Sequence, residues 1–365
     1  MNDVNTHTAH KALSARYKKF SAKIVLFNML LLAGIFVMVI VSVNAGSAHL
    51  SVPEILKALV HRGTEEAQVI IWKIRLPRIL AAIIAGAGLS AAGCIMQNNL
   101  RNPLASPSTL GITSAAAFGA NVAIIVLGAG SIQSSTADTV YITNPYIVTL
   151  SAFICAIGAA IIVIALAKIK GFRADVIVLA GVSVSSLFGA GITFLQFFSH
   201  DQKIASAVFW TFGNLARIAW KEMWLLGTVT AVSLVYFMFK SWDYNAFNVG
   251  EDSAAGLGVN VKAVRFGGML FSSVVTATAV SFLGIISFVG LIGPQITRML
   301  IGNDHRHLIP GSALMGALIL LCADTVARTI IAPVILPVGV ITSFLGAPLF
   351  LYILLREDKY SGGKE

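Results

Sequence analysis

The stretch Trp72-Lys73-Ile74-Arg75-Leu76-Pro77-Arg78 sets three cations directly before the apolar run ILAAIIAGAGLSAAG. A guanidinium offers a planar fork of donors that fits a carboxylate or a phosphate through paired hydrogen bonds. The chemistry on offer is recognition of an acidic group, not bond making. Arg328 adds a further cation four residues after Asp324, a spacing at which the two can pair on a helix. Reactive constellations are missing. The sequence contains no nucleophile–base set and no G-x-x-x-x-G-K-[ST] loop, so ATP is not hydrolysed by that route. Cys94, Cys155 and Cys322 are far apart in apolar runs and read as small buried hydrophobes, with no metal-ligand spacing. His49, His61, His200, His305 and His307 fall near the ends of apolar runs, and none is matched at helical spacing as haem ligation would need. No metal site and no cofactor of the chain's own are expected.

The elements that must position these arginines are membrane spans. The chain is 57% hydrophobic and 12% charged, with a mean hydropathy of +0.84. A soluble domain keeps about a quarter of its residues charged. A span needs about 20 apolar residues. Ten are expected, at 24–45, 79–99, 109–128, 145–167, 176–198, 223–240, 266–283, 285–301, 309–328 and 338–355. The first follows a polar, basic tail (1–23), is longer than a secretory signal core, and reads as a retained span. The charge-free stretch 266–297 is short for two spans. Gly284, Gly290, Gly293 and Pro294 there predict a tight turn and an irregular eighth helix. Small residues in the second span, Gly86/Ser90 and Gly88/Ala92, allow close packing. The expected fold is therefore an all-α polytopic bundle, with tails at 1–23 and 356–365.

With the N-terminus inside, 17 of the 26 lysines and arginines fall in inner segments, which predicts cytoplasmic termini. The outer loops hold the rest, including Lys57, Arg62, Lys73, Arg75 and Arg78 in the first, then Lys203, Arg217 and Lys221, with Arg328 at the outer end of the ninth span. WKIRLPR therefore faces outward, either as snorkelling anchors beside Trp72 or as a basic rim that docks something acidic. Among the acids, only Asp324 lies in an expected span. An ion-coupled transporter usually needs ionisable groups at mid-membrane depth. Pro77 is expected to stop its helix extending outward.

The inner loop 241–264 is longer than a connector requires. Within it, NVGEDSAAGLG reads as a short exposed helix from Asn248 to Gly258. Asn248 is the expected cap, Glu251 and Asp252 suit the first turn, Ala254, Ala255 and Leu257 are the apolar part, and Gly256 and Gly258 end it. Such a helix suits docking of a peripheral protein.

The stretches IRLPRILAAIIAGAGLSAAGCIMQNNLRNPLASPSTLGITSAAAFGA, FWTFGNLARIAW, NVGEDSAAGLGVNVKAVR and ISFVGLIGPQITRMLIG, with the run to LYILLR, resemble the FecCD-type permeases. These are membrane subunits of type II ABC importers for ferric siderophores, haem, cobalamin and related chelates. The resemblance covers nearly all of the chain. It implies a permease dimer with a second, identical or paralogous subunit, two ABC ATPases that carry ATP and Mg, and an extracytoplasmic binding protein, all at the cytoplasmic membrane. No nucleic-acid partner is implied. It places binding-protein docking on Arg75, Arg78 and Arg328. ATPase coupling falls on Asn248, Gly250, Glu251, Asp252, Ala255, Gly256, Leu257 and Gly258. The fifth and tenth helices would line the axis, making Phe194, Gln196, Thr342 and Ser343 pathway candidates. Family members often carry His where this chain has Gln295.

The function implied is ATP-driven import by alternating access, with ferric siderophore as the default cargo and haem, cobalamin, molybdate or tungstate as alternatives. A secondary transporter or a non-transporting anchor are the readings from other classes. The first is opposed by the scarcity of acids in the spans and the second by the Gly- and Pro-interrupted spans.

Overall fold

The computed structural model describes residues 3–46, 50–131, 141–142, 144–332 and 334–361. α1 (Asp3–Asn44) precedes two short helices, α2 (Val52–Leu59) and α3 (Glu65–Val69). A wide π-helical turn, Ile70–Arg75, carries α3 into α4 (Leu76–Leu100) without a break. Next come α5 (Ile112–Asn121), a second π turn at Val122–Val126, α6 (Pro145–Ile169), α7 (Ala174–Phe197) and α8 (Asp201–Thr211). Then follow α9 (Trp220–Phe239), α10 (Ser241–Val249), α11 (Glu251–Gly256), α12 (Val261–Leu283), α13 (Val289–Ile301), α14 (His305–Thr329) and α15 (Val338–Ser361). The only strand ladder among the described residues is a two-residue pairing of Gly130–Ser131 with Tyr141–Ile142.

Among the described residues, seven helices are long and apolar enough to cross a membrane, and three shorter apolar segments, Ile112–Val126, Val289–Ile301 and Val338–Tyr352, complete the ten expected. Several boundaries differ from expectation. α1 starts at Asp3, so no backbone break separates the basic tail from the first span, and α15 runs on to Ser361. The helices α2, α3, α8 and α10 were not expected, because each is too short to read as a span. Pro77 does not stop its helix, which continues outward to Glu65. Proline in a helix lacks an N–H and crowds the carbonyl four residues back. The wide turn immediately before Pro77 is where that register change is absorbed.

α4 is the centre of the bundle and is buried on nearly all sides. Its glycines make this possible. A Cβ on Gly86 would strike the backbone of Gly316 in α14, and one on Gly93 would strike the backbone of Gly290 in α13. The small residues read from the sequence thus set two helix–helix approaches at backbone distance.

α13 is short for a span. Its 13 residues give about 20 Å of helix, against about 35 Å for the 23 of α12. The apolar slab is about 30 Å thick. The segment Gly284–Phe288 makes up the difference as irregular chain, bounded by Gly284 at φ 79° and Phe288 at φ 66°. The short eighth helix expected around Pro294 is present, entered through irregular chain from Gly284 where a tight turn was expected.

Gly93→Ala should cost about 1–3 kcal/mol through overpacking against a backbone that cannot move aside. Gly158→Ala in α6, where nothing lies within 4 Å, should be neutral or slightly stabilising. Thermal midpoints of the two purified variants in detergent check the contrast.

Candidate translocation path and coupling face

At the end of the bundle where α12 finishes, three stretches of non-helical chain meet. Ile285 N–H donates to Thr211 O at 3.3 Å, Asn214 N–H to Leu283 O at 2.7 Å, and Val338 N–H to Gly213 O at 2.8 Å. Glycine is required for this approach. A Cβ on Gly213 or on Gly339 would come within 2.6 or 2.7 Å of Ile285 O. Beside this knot opens a cleft of about 560 Å³ lined by Phe212, Ile285, Ser287, Val340, Ser343 and Phe344, among others. It is apolar apart from a few hydroxyls, and no charged side chain lines it among the described residues.

Of the four pathway candidates, only Ser343 lines this cleft. Thr342 is buried and donates to Gly339 O at 3.1 Å, because it sits on the face of α15 turned into the bundle. Gln196 donates to Asn121 Oδ1 at 3.1 Å and so ties α7 to α5. Phe194 is largely exposed on α7 and packs edge-on against Phe198. Phe212, Ile285 and Ser287 were not singled out from sequence. The available signal was the glycine punctuation at 213, 284 and 339.

The arginines are not an exposed rim. Arg75, Arg78 and Arg328 are 4%, 4% and 6% exposed, and Asp324 is fully buried. Arg78 holds Asp324 in a fork, with Nε at 2.9 Å and Nη2 at 2.8 Å from Oδ1. Arg328 reaches the other carboxylate oxygen at 3.0 Å. The i,i+4 pair expected from spacing therefore exists, with Arg78 added. The remaining donors turn to the end of α1. Arg75 donates to Val43 O, and Arg328 donates to Ala45 O at 2.9 Å and to the Ser42 hydroxyl. The last carbonyls of a helix lack intrahelical donors. These guanidiniums supply them, which is why they point inward. Lys57, Arg62, Lys73 and Lys221 are the exposed cations of the same end. Arg217 is held apart from them by carbonyls of Phe209 and Trp210, and burial lowers its pKa to about 10.

At the opposite end, the expected helix forms over a shorter range. α11 spans Glu251–Gly256, capped by Gly250 at φ 134°. Asn248 is not its cap. It belongs to α10, and its amide donates to Asn303 O at 3.1 Å. A short helix needs a sharp entry, and only glycine takes the Gly250 conformation without strain. Gly258 at φ 85° closes the segment. Asp252, Ala255, Gly256, Leu257 and Gly258 are exposed, Leu257 at 73%. Glu251 turns inward instead. It pairs with the buried Arg265 at 2.6 Å, and Arg265 also donates to Asn99 O and Phe172 O. One guanidinium thus joins α11, α12, the end of α4 and the turn before α7. Nearby, hydrogen bonds from Arg306 and Asn245 hold the Asp304 carboxyl well below the usual carboxylate range. Gln295 accepts from Arg298 at 2.6 Å, a role open to any side chain with an acceptor there.

Ten apolar segments, a cleft walled by interrupted helices and a short exposed helix at the far end define a membrane-embedded ABC transporter permease. The chain belongs to the FecCD transport family, which it matches over residues 32–356. It is 49% identical, over 94% of this chain and 98% of the other, to a Methanocaldococcus jannaschii protein described as an ABC transporter permease. It is 35% identical, over 97% of this chain and 89% of the other, to the iron(3+)-hydroxamate import system permease protein of Bacillus subtilis. A solved structure described as an inward-facing metal-chelate type ABC transporter superimposes with a TM-score of 0.77 at 29% identity, covering 91% of this chain and 99% of that one.

Asp324→Asn should cost about 3–5 kcal/mol, since it strands buried guanidiniums without their counter-charge. Asp175→Asn, whose partner Arg173 is 70% exposed, should leave stability nearly unchanged, because solvent screens the pair. Chemical denaturation of both variants in mild detergent checks the difference.

Proposed function

We propose that this chain imports an iron chelate, with ferric siderophore as the cargo, by alternating access driven by ATP hydrolysis on two partner ATPases. The observation that carries the reading is the non-helical knot at Thr211–Asn214, Leu283–Phe288 and Val338–Gly339. Irregular backbone among membrane helices persists only where protein buries it or where it lines a cavity. Transporters use such interrupted helices to build their substrate paths. The cleft beside the knot is the candidate path within one subunit, and a second subunit would complete it across the exposed faces of α7 and α15. The relative that handles iron(3+)-hydroxamate supports a chelate of that kind.

The α11 end is the proposed ATPase face, on the cytoplasmic side with both termini. ATPase closure moves α11, and the Glu251–Arg265 pair carries that displacement into α12 and α4. The extracytoplasmic binding protein docks at the opposite end, where Lys57, Arg62, Lys73 and Lys221 surround the buried arginine cluster. Exposed charges of this kind steer association more than they hold it.

The test is uptake by proteoliposomes that contain this chain, its ATPase and its binding protein. Each is offered a panel of ferric siderophores, haem, cobalamin and molybdate. Selective, ATP-dependent accumulation of a ferric siderophore is expected. Uptake that survives removal of the ATPase and collapses with the proton gradient would overturn the reading in favour of a secondary transporter.

Leu257→Asp should reduce ATP-coupled uptake at least tenfold while leaving the thermal midpoint of the chain unchanged, because Leu257 touches little of the bundle. Glu251→Gln should lower both, since it weakens the hold on buried Arg265. Paired uptake and unfolding measurements separate the two effects.

A further inference from the structure

A second cleft, of about 370 Å³, lies at the α11 end between α4, α10 and the end of α13. Its lining mixes polar groups, Gln97, Asn98, Arg101, Asn248, Arg298 and Asn303, with the apolar Pro103, Phe247 and Val249. Two of these are arginines, and no carboxylate lines the cleft among the described residues.

The Arg298 charge is not neutralised there. Its Nη1 donates to the amide oxygens of Gln97 at 3.0 Å and Gln295 at 2.6 Å, and its Nε donates to Asn303 Oδ1 at 3.0 Å. All three acceptors are neutral. They fix the plane of the guanidinium and leave its charge uncompensated. Gln97, only 3% exposed, is itself held by donation to Leu291 O, so the positioning is rigid. Arg101 stands on the other wall. It donates to Phe247 O at 3.3 Å, and its nearest acid, Glu251, is 3.9 Å away and already taken by Arg265 at 2.6 Å. Asn98 and Asn248 also line the cleft, with the Asn98 amide donating to Asn248 Oδ1 at 3.3 Å.

We infer that this cleft is a binding site for a small phosphate-type oxyanion, held between Arg298 and Arg101. Two guanidiniums across a concave pocket, Arg298 held in plane and Arg101 half-exposed, give paired donors and a field of the right sign. Such an anion bridges α13 to the 101–103 turn and to α10, and so ties the α11 segment to the bundle. Occupancy would stiffen that end of the molecule. The phosphate can be free in solution or the headgroup of an anionic lipid.

The experiment uses the full-length chain in nanodiscs of phosphatidylcholine, titrated with inorganic phosphate at constant ionic strength against chloride. Tryptophan fluorescence reports thermal unfolding. A saturable rise of about 2 °C is expected with phosphate and not with chloride. Arg101→Gln, at a 44% exposed side chain that folding should tolerate, should weaken the phosphate response about tenfold. Arg298→Lys keeps the charge, loses the fork and should weaken it as well. In nanodiscs containing phosphatidic acid, a response to added phosphate that vanishes while Arg101→Gln lowers the midpoint identifies the headgroup as the source. Absence of a saturable response in both lipid settings, or a response that Arg101→Gln leaves unchanged, overturns the proposal.

Discussion

Backbone groups inside an apolar slab must find hydrogen-bond partners within the protein. Most of this chain meets that demand by being helix. The exceptions are informative, because each needs a dedicated device. Where α12 ends short of α13, the stranded N–H and C=O groups of Leu283 and Ile285 are paired with those of Thr211 and Asn214. That pairing needs Gly213 and Gly339, since any side chain there would push the strands apart. The cleft exists because this chain-to-chain bonding replaces a stretch of helix that would otherwise fill the space.

A related device operates at both ends of the bundle. Buried guanidiniums satisfy carbonyls that helices leave open, and each cluster includes one carboxylate. Arg265 does this between Asn99 O, Phe172 O and Glu251. Arg78 and Arg328 do it around Asp324, with Arg75 beside them. Burying an ion pair yields little net stability, but removing one member is expensive. These clusters fix geometry more than they add stability. Arg265 joins an exposed helix to the core through bonds to three separate segments.

The number and order of apolar segments were legible in the sequence, because 18 or more uncharged residues have few other uses. The broken eighth helix was legible from Gly284 and Pro294. The exposed helix at α11 was legible from its acidic first turn and terminal glycines, but its cap was not. Asn248 is a good cap residue by type, yet tertiary partners in Asn98 and Asn303 took it into α10. The arginines of WKIRLPR were legible as a cluster of charge and misread in exposure. A charge count does not reveal that the end of α1, in the chain some 30 residues earlier, presents carbonyls that need donors. The cleft was legible only in part. Ser343 came from the resemblance, which puts the tenth helix at the axis, while Phe212 and Ile285 depend on contacts between segments more than 70 residues apart.

The dependence of α1 on Arg328 also orders the assembly of the protein. α1 is poorly buried, with 11% of its apolar window enclosed, and packs chiefly on α14. Its terminal carbonyls at Ser42 and Ala45 receive their donors from Arg328, some 280 residues later in the chain. During synthesis the first helix therefore reaches the bilayer long before the group that completes it. Until α14 arrives, the end of α1 must borrow water or lipid headgroups. α1 is thus locked in place only after α14 has arrived, and the charge cluster at its end records that event.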